Sequence, residues 1–477
     1  MKALYPTIIS ISLCTLLNAQ NISDLQGNWA LAEFETPTFL TETYYNFDTQ
    51  QVRSSVGPFD YAGRLGGAEQ LVDVYFRSDY TAAIEDFSID ASGNYTAGDG
   101  GRIVNVRNNR VTLRDNGDSL DGATIGYTNI NGDVLLVGTV DPDNLQVTMA
   151  LKQPSSLSLT DLAGGWGLAT MLIPSNLIKV YDNNQQLVDL YFPAESEAPE
   201  ANFVDIDITG NTFSGAFEGS IAINGVNPTL SSDGEQFPFR INEAKDVMVS
   251  AVKYVDDMEL IVMVKLPSSA PLISEFEGTW RVVSYSVPTA LRETYYIQST
   301  GNTRTSTNSL DSAQLGEILS DTSFSSEFRL EQGMLKIDSA GNASGLATGT
   351  LSLGGSTGLT FTDSEGTTPV YMNASKNVII NVNEDPSGNE ITYNLLVRLT
   401  GSIPQTFQEE VDLTLLNIDG EDAVTWNGGN NLELQTAAKL GDWNEPLGTE
   451  GTSLVPFDPE ATTQFFRVIP REEIIVE

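Results

Sequence analysis

The chain contains no histidine. That absence excludes Ser-His-Asp and Cys-His nucleophile systems, imidazole zinc sites and the usual general base near neutral pH. Carboxylates, lysine, tyrosine and serine remain for any chemistry. Cysteine is nearly absent too: the single one, Cys14, lies in an apolar N-terminal stretch, so a chain cleaved behind that stretch has no thiol and no disulfide. Positive charge is scarce, with 24 Lys and Arg against 64 Asp and Glu and a formal net charge of −40. A basic face for nucleic acid or an anionic membrane surface is therefore excluded. Such an excess of carboxylate suits a saline exterior, where salt screens self-repulsion. Behind the N-terminal stretch, no apolar run approaches the ~20 residues of a spanning helix.

That N-terminal stretch reads as a secretory signal over residues 1–19. Met1-Lys2-Ala3 supplies the charge, the apolar run extends to Leu17, and cleavage is expected after Ala19. The rest is organised by a phrase stated three times: Ser23-Asp24-Leu25-Gln26-Gly27-Asn28-Trp29, Thr160-Asp161-Leu162-Ala163-Gly164-Gly165-Trp166 and Ser274-Glu275-Phe276-Glu277-Gly278-Thr279-Trp280. Pro37, Pro174 and Pro288 keep the register, as do Leu40, Leu177 and Leu291, and Tyr44, Tyr181 and Tyr295. Three homologous units follow. Their expected bounds are 20–154, 155–270 and 271–404, with 405–477 as a different C-terminal module. Pro154-Ser155-Ser156, Pro267-Ser268-Ser269 and Ser402-Ile403-Pro404 mark the joints.

Short alternating apolar runs separated by Gly and Asn predict an all-β chain. Gln70–Phe76 and its twin Gln186–Phe192 read as strands, with Asp73 and Asp189 as edge carboxylates. Gly-Asn turns follow Ile89-Asp90, Ile206-Asp207 and Ile337-Asp338. The distance from the shared Tyr to these turns varies, which marks an insertion. In the third unit Leu310–Leu319 has one apolar face and is the single helix expected. Each unit closes on a hairpin whose last strand ends in a cation: Lys152, Lys265 and Arg398.

A Gly-x-Trp opening strand with a cation at the end of the last strand resembles lipocalins and related calycin barrels. The resemblance implies up-and-down barrels with an apolar cavity, and each cation covering its tryptophan. Glycines 27, 164 and 278 would let that cation approach Trp29, Trp166 and Trp280. Beyond Gln405, Trp426, Leu432-Glu433-Leu434-Gln435, Leu440-Gly441-Asp442-Trp443 and Phe465-Phe466-Arg467-Val468 form a different pattern of short strands, read as a small β-sandwich. The set resembles the C-terminal module of secreted proteins from planctomycete and verrucomicrobial bacteria, which implies export and surface display.

Calcium is the cofactor that the acidity suggests first, with Asp115, Asp118 and Asp121 as the candidate loop. The spacing is not that of an EF-hand, and Asx turns account for it, so no cofactor is expected. The favoured reading is a secreted or cell-surface binding or structural protein without enzymatic activity. Its partner would be a glycan, an apolar small molecule or another surface protein. A carrier of apolar molecules inside the barrels is the alternative, and a carbohydrate-active enzyme using a carboxylate pair is the third.

Overall fold

The computed structural model describes residues 21–400 with short interruptions, chiefly 57–68, 192–199 and 308–318, together with strands between 414 and 470. For the inserted strands within 40–76, 178–191 and 292–324, and for the C-terminal strands, only the backbone is considered. The signal, residues 310–318 of the expected helix and the third joint lie outside the described residues, and Leu319 opens the strand Leu319–Phe324 rather than ending a helix.

The chain is all-β, as the alternation predicts. In the first unit, eight strands form a closed up-and-down barrel in which Gly27–Pro37 pairs with both Thr81–Ile89 and the last strand, Asn144–Lys152. The second and third units repeat this order around Gly164–Pro174 and Gly278–Pro288. There the sixth barrel position is a kinked segment. Glu235–Pro238 and Arg240–Ile241 flank Phe239, whose N–H donates to Pro228 O at 2.8 Å. Thr367–Pro369 and Tyr371–Met372 flank Val370 in the same way.

The pairing corrects one sequence alignment. Ile89, Ile208 and Ile337 lie opposite the opening glycines, so Thr209, not Asp207, occupies the place of Asp90 and Asp338. Asp90 Oδ1 accepts from the N–H groups of Ser92 and Asn94, and Asp338 Oδ1 from those of Ala340 and Asn342. The second unit has no such Asx turn and makes the shorter Thr209–Thr212 hairpin.

Two faces of each opening strand are buried, for different reasons. Trp29, Trp166 and Trp280 point inward and anchor one apolar cluster per barrel. The alternate residues, such as Ala32 and Phe34, Met171 and Ile173, and Tyr285 and Val287, point outward into a cluster shared by all three units. This shared cluster is the largest of the four.

The barrels close head to tail around it. Val247–Lys253 packs on Thr81–Ile89, Val378–Glu384 on Glu200–Thr209, and Val134–Val140 on Arg329–Ile337. Each contact joins the penultimate strand of one barrel to the second barrel strand of its neighbour. A pseudo-threefold ring results, with heterologous contacts that close. One joint depends on a missing side chain: a Cβ on Gly167 would stand 2.3 Å from the Tyr371 ring, which stacks on Phe203 at 4.2 Å. The Arg281 guanidinium lies 4.4 Å from the Tyr127 ring centre at another, and Arg240 makes a bidentate pair with Asp86 at the third.

The C-terminal strands Thr414–Ile418, Glu421–Thr425 and Leu454–Pro456 form one small sheet; Leu432–Ala437 and Phe465–Pro470 form another.

Candidate functional site

The ring has two unlike ends, and the repeat motif builds the first. A 3-10 turn (Ile22–Leu25), a short α-turn (Leu159–Leu162) and a second 3-10 turn (Ile273–Phe276) precede the three opening strands. Each turn presents a carbonyl to the indole behind it. Trp29 Nε1 donates to Leu25 O at 2.8 Å, Trp166 Nε1 to Leu162 O at 2.7 Å and Trp280 Nε1 to Phe276 O at 3.0 Å. All three rings are fully buried, and their one polar atom is satisfied.

The cations complete this plug. Lys265 Nζ lies 6.0 Å from the Trp166 ring centre and Arg398 Cζ 5.7 Å from that of Trp280. Lys152 is the strand partner of Trp29 and donates to Asp24 O at 3.0 Å; Lys265 donates to Asp161 O at 2.7 Å, and Arg398 to Glu277 O. Gly27 has φ +147°, and a Cβ there would stand 3.1 Å from Lys152 Cε, so glycine makes room for the lysine stem. Burial lowers the pKa of Lys265, opposed by Asp161 and Asp246.

Beside the plugs runs a polar network that sequence reasoning missed. Asn129, Asn242 and Asn373 each head a tight loop whose fifth residue is Asp133, Asp246 or Asn377. Each Asn Oδ1 accepts from the N–H of that fifth residue and of the valine after it. Asp133 Oδ2 accepts from Asn242 Nδ2 (2.8 Å) and Ala244 N (3.1 Å); Asp246 Oδ2 accepts from Asn373 Nδ2 (3.1 Å) and Ser375 N (2.8 Å). Each carboxylate thereby binds the next barrel. Asn377 stands in the third such place, and its Nδ2 meets no hydrogen-bond partner among the described residues. Burial raises the Asp133 pKa, with Asp246 adding repulsion. The readable signal was the recurrence Asn-x-x-x-[Asp/Asn]-Val.

At the other end the barrel strands turn polar. Gln146 donates to Glu33 at 2.8 Å and Asn144 to Glu35 in the first barrel; Ser286 and Thr392 share a hydrogen bond of 2.8 Å in the third. In the second, Glu259 is pushed up to about 7 by burial and by the carboxylates of Glu235 and Asp257, while Tyr254 hydrogen-bonds to it. A carboxyl protonated near neutrality can act as a general acid. Among the calcium candidates, Asp115 accepts from Tyr95 Oη, and Asp118 and Asp121 lie outside the described residues. No group of three or more metal-ligating side chains gathers among the described residues.

Beyond this polar end stand the inserted strands. Pro37, Pro174 and Pro288 pair with Asn144, Asp257 and Glu390 near the starts of the last strands, at the far end from the tryptophans. Antiparallel sheets follow: Leu40–Asn46 between Gln51–Val56 and Glu69–Phe76; Ile178–Tyr181 with Leu187–Tyr191; and Arg292–Ile297 between Asn302–Thr307 and Leu319–Phe324. Leu187–Tyr191 lies beside both Glu69–Phe76 and Leu319–Phe324, so the insertions meet over one end of the ring.

No family model matches the chain, and no curated protein does. Among solved structures, a transferrin binding protein B double mutant from Haemophilus parasuis is similar at 10% identity, over 77% of this chain and 75% of that one, with a TM-score of 0.21. The isotype 1 transferrin binding protein B from serogroup B Neisseria meningitidis is similar at 12% identity over 76% and 77%, TM-score 0.21. A protein of unknown function from Nostoc punctiforme is similar at 11% identity over 52% of this chain and all of that one, TM-score 0.15. Likenesses this weak transfer no function.

Proposed function

We propose that the chain acts outside the cell as a non-catalytic binding scaffold whose recognition face is the end of the ring carrying the inserted sheets. The meeting of the insertions there carries the reading: Leu187–Tyr191 touches the inserted sheets of both neighbours, which makes a composite surface on a rigid base. The tryptophan plug supports a calycin-like origin for the barrels. Their interiors hold clusters of the chain's own side chains, which favours a scaffold over a carrier of apolar molecules. Export rests on residues 1–19 and on the C-terminal resemblance. With a net charge of −40, the favoured partner is a surface protein offering cations.

The test uses labelled protein lacking residues 1–19 and a variant in which 40–76 and 292–324 are replaced by short Gly-Ser linkers. The variant should keep a cooperative melt yet lose binding to the outer surface of the producing cells. Equal binding by both proteins, or by neither, overturns the reading. One observation favours a second reading, hydrolysis of glycans: the carboxyl cluster of Glu259, Glu235 and Asp257, which Gln146 and Asn144 replace in the first barrel and Thr392 and Glu390 alter in the third. Hydrolysis of a soluble polysaccharide that disappears in Glu259→Gln would establish it.

A further inference from the structure

The inserted sheets of the first two units share a pairing register down to its irregularity. Tyr44 pairs with Leu71 and Thr43 with Asp73; Tyr181 pairs with Leu187 and Val180 with Asp189, and both sheets shift register at that step. The two central strands, Leu40–Asn46 and Ile178–Tyr181, are therefore equivalent residue by residue. They differ on the opposite edge. In the first unit that edge is covered by Gln51–Val56, with Arg53 opposite Tyr44, Ser54 opposite Thr43 and Ser55 opposite Glu42. The third unit covers it with Asn302–Thr307, placing Arg304 opposite Tyr295, Thr305 opposite Thr294 and Ser306 opposite Glu293. In the second unit only five residues of sequence separate Tyr181 from its partner Leu187, and among the described residues no strand pairs with the far edge of Ile178–Tyr181.

We propose that this edge binds an extended, basic strand of a partner protein, which takes the place that Gln51–Val56 and Asn302–Thr307 hold in the other two units. The two filled edges specify the occupant. It runs antiparallel to Ile178–Tyr181, with an arginine opposite Tyr181 and serine or threonine opposite Val180 and Lys179, the pattern that Val52-Arg53-Ser54-Ser55 and Thr303-Arg304-Thr305-Ser306 have in common. Backbone hydrogen bonds of an open sheet edge supply the affinity, and the cross-strand side chains supply the selection. Charge points the same way, since a chain of net charge −40 favours a cationic partner strand. The inference rests on the scaffold reading and names the chemistry of one subsite on its face.

The chain's own strand is the probe. A labelled peptide of residues 49–58 is titrated onto the full chain lacking residues 1–19, followed by anisotropy and by hydrogen exchange at the amides of 178–181. Saturable binding with slowed exchange at those amides is expected. An Arg→Glu peptide should bind about fivefold more weakly or worse. Alternate strand residues direct their N–H groups to opposite edges. One of Lys179→Pro and Val180→Pro should therefore abolish binding while preserving the hairpin with 187–191. No saturation by about 1 mM, unchanged binding in both proline variants, or amides already protected without peptide because a second copy fills the edge, each overturns the proposal. If the peptide fails while the whole protein still binds cells, the edge is refuted and the scaffold reading stands.

Discussion

Trp280 and Arg398 share a plug but have separate energetic roles. The indole fills the third barrel's core and its N–H is satisfied by Phe276 O, whereas the guanidinium is half-buried at the ring's periphery. Trp280→Ala should cost ~3–5 kcal/mol, because the cavity adds to the lost burial. Arg398→Met should cost only ~0.5–2 kcal/mol, the range of a cation over an indole. Denaturant midpoints of the two variants check the ranking, and equal midpoints would remove the core role of the tryptophan. Glu259 gives a second test, with the opposite sign from an ordinary carboxylate. Its folded pKa of about 7 lies above the ordinary glutamate value of 4.5, because burial and then Glu235 and Asp257 disfavour its charge. The folded chain holds the extra proton between those values, so this group's contribution to stability falls as pH rises through that window. Glu259→Gln should leave the melt near pH 4 unchanged and raise stability at pH 8 by ~1–3 kcal/mol. An equal gain at both pH values would show that the effect is not titration.

The loops headed by Asn129, Asn242 and Asn373 join the barrels with few residues, and the middle loop is the best placed for a test. Asp246 accepts from Asn242 Nδ2 on one oxygen and from Asn373 Nδ2 and Ser375 N on the other. Asp246→Ala leaves those buried donors without an acceptor and should cost ~2–4 kcal/mol; Asp246→Asn, which keeps one acceptor oxygen, should cost less. Urea melts of both variants decide it. These loops also show where the sequence was legible. The strands, the hairpins and the three units could be read because alternation and turn residues are local signals. The ring could not, since it depends on which of two apolar faces meets which neighbour. A signal was present: Val134-Leu135-Leu136-Val137 and Ile261-Val262-Met263-Val264 are apolar on both faces, the mark of strands buried on both sides. The loops were passed over because Asn and Asp in a tight turn satisfy local geometry anyway. The edge of Ile178–Tyr181, which no strand pairs with among the described residues, appeared in the sequence only as a variable distance.

Sequence spacing suggests units that separate once their joints are cut, but the shared core argues otherwise. Ser268, Ser269 and Ala270 are exposed between the second and third barrels, so a protease can reach that joint. The nicked halves would remain held by the central cluster, to which all three barrels contribute. Bonds across the ring add to it: Tyr393 Oη donates to Ala169 O at 2.8 Å, Gln332 Nε2 to Gly138 O at 2.9 Å, and Asn373 Nδ2 to Asp246. Pulling one barrel out would expose the apolar outer face of its opening and last strands, at roughly 25 cal/mol for each Å² returned to water. A surface of that kind does not stay solvated on a folded monomer. Limited proteolysis in the 267–270 region should therefore give two fragments on a denaturing gel that co-elute at the size of the uncut chain under native conditions and part only in denaturant. Elution of a separately folded third barrel would show that each Trp-centred core suffices by itself, and the ring would then be an arrangement of independent barrels.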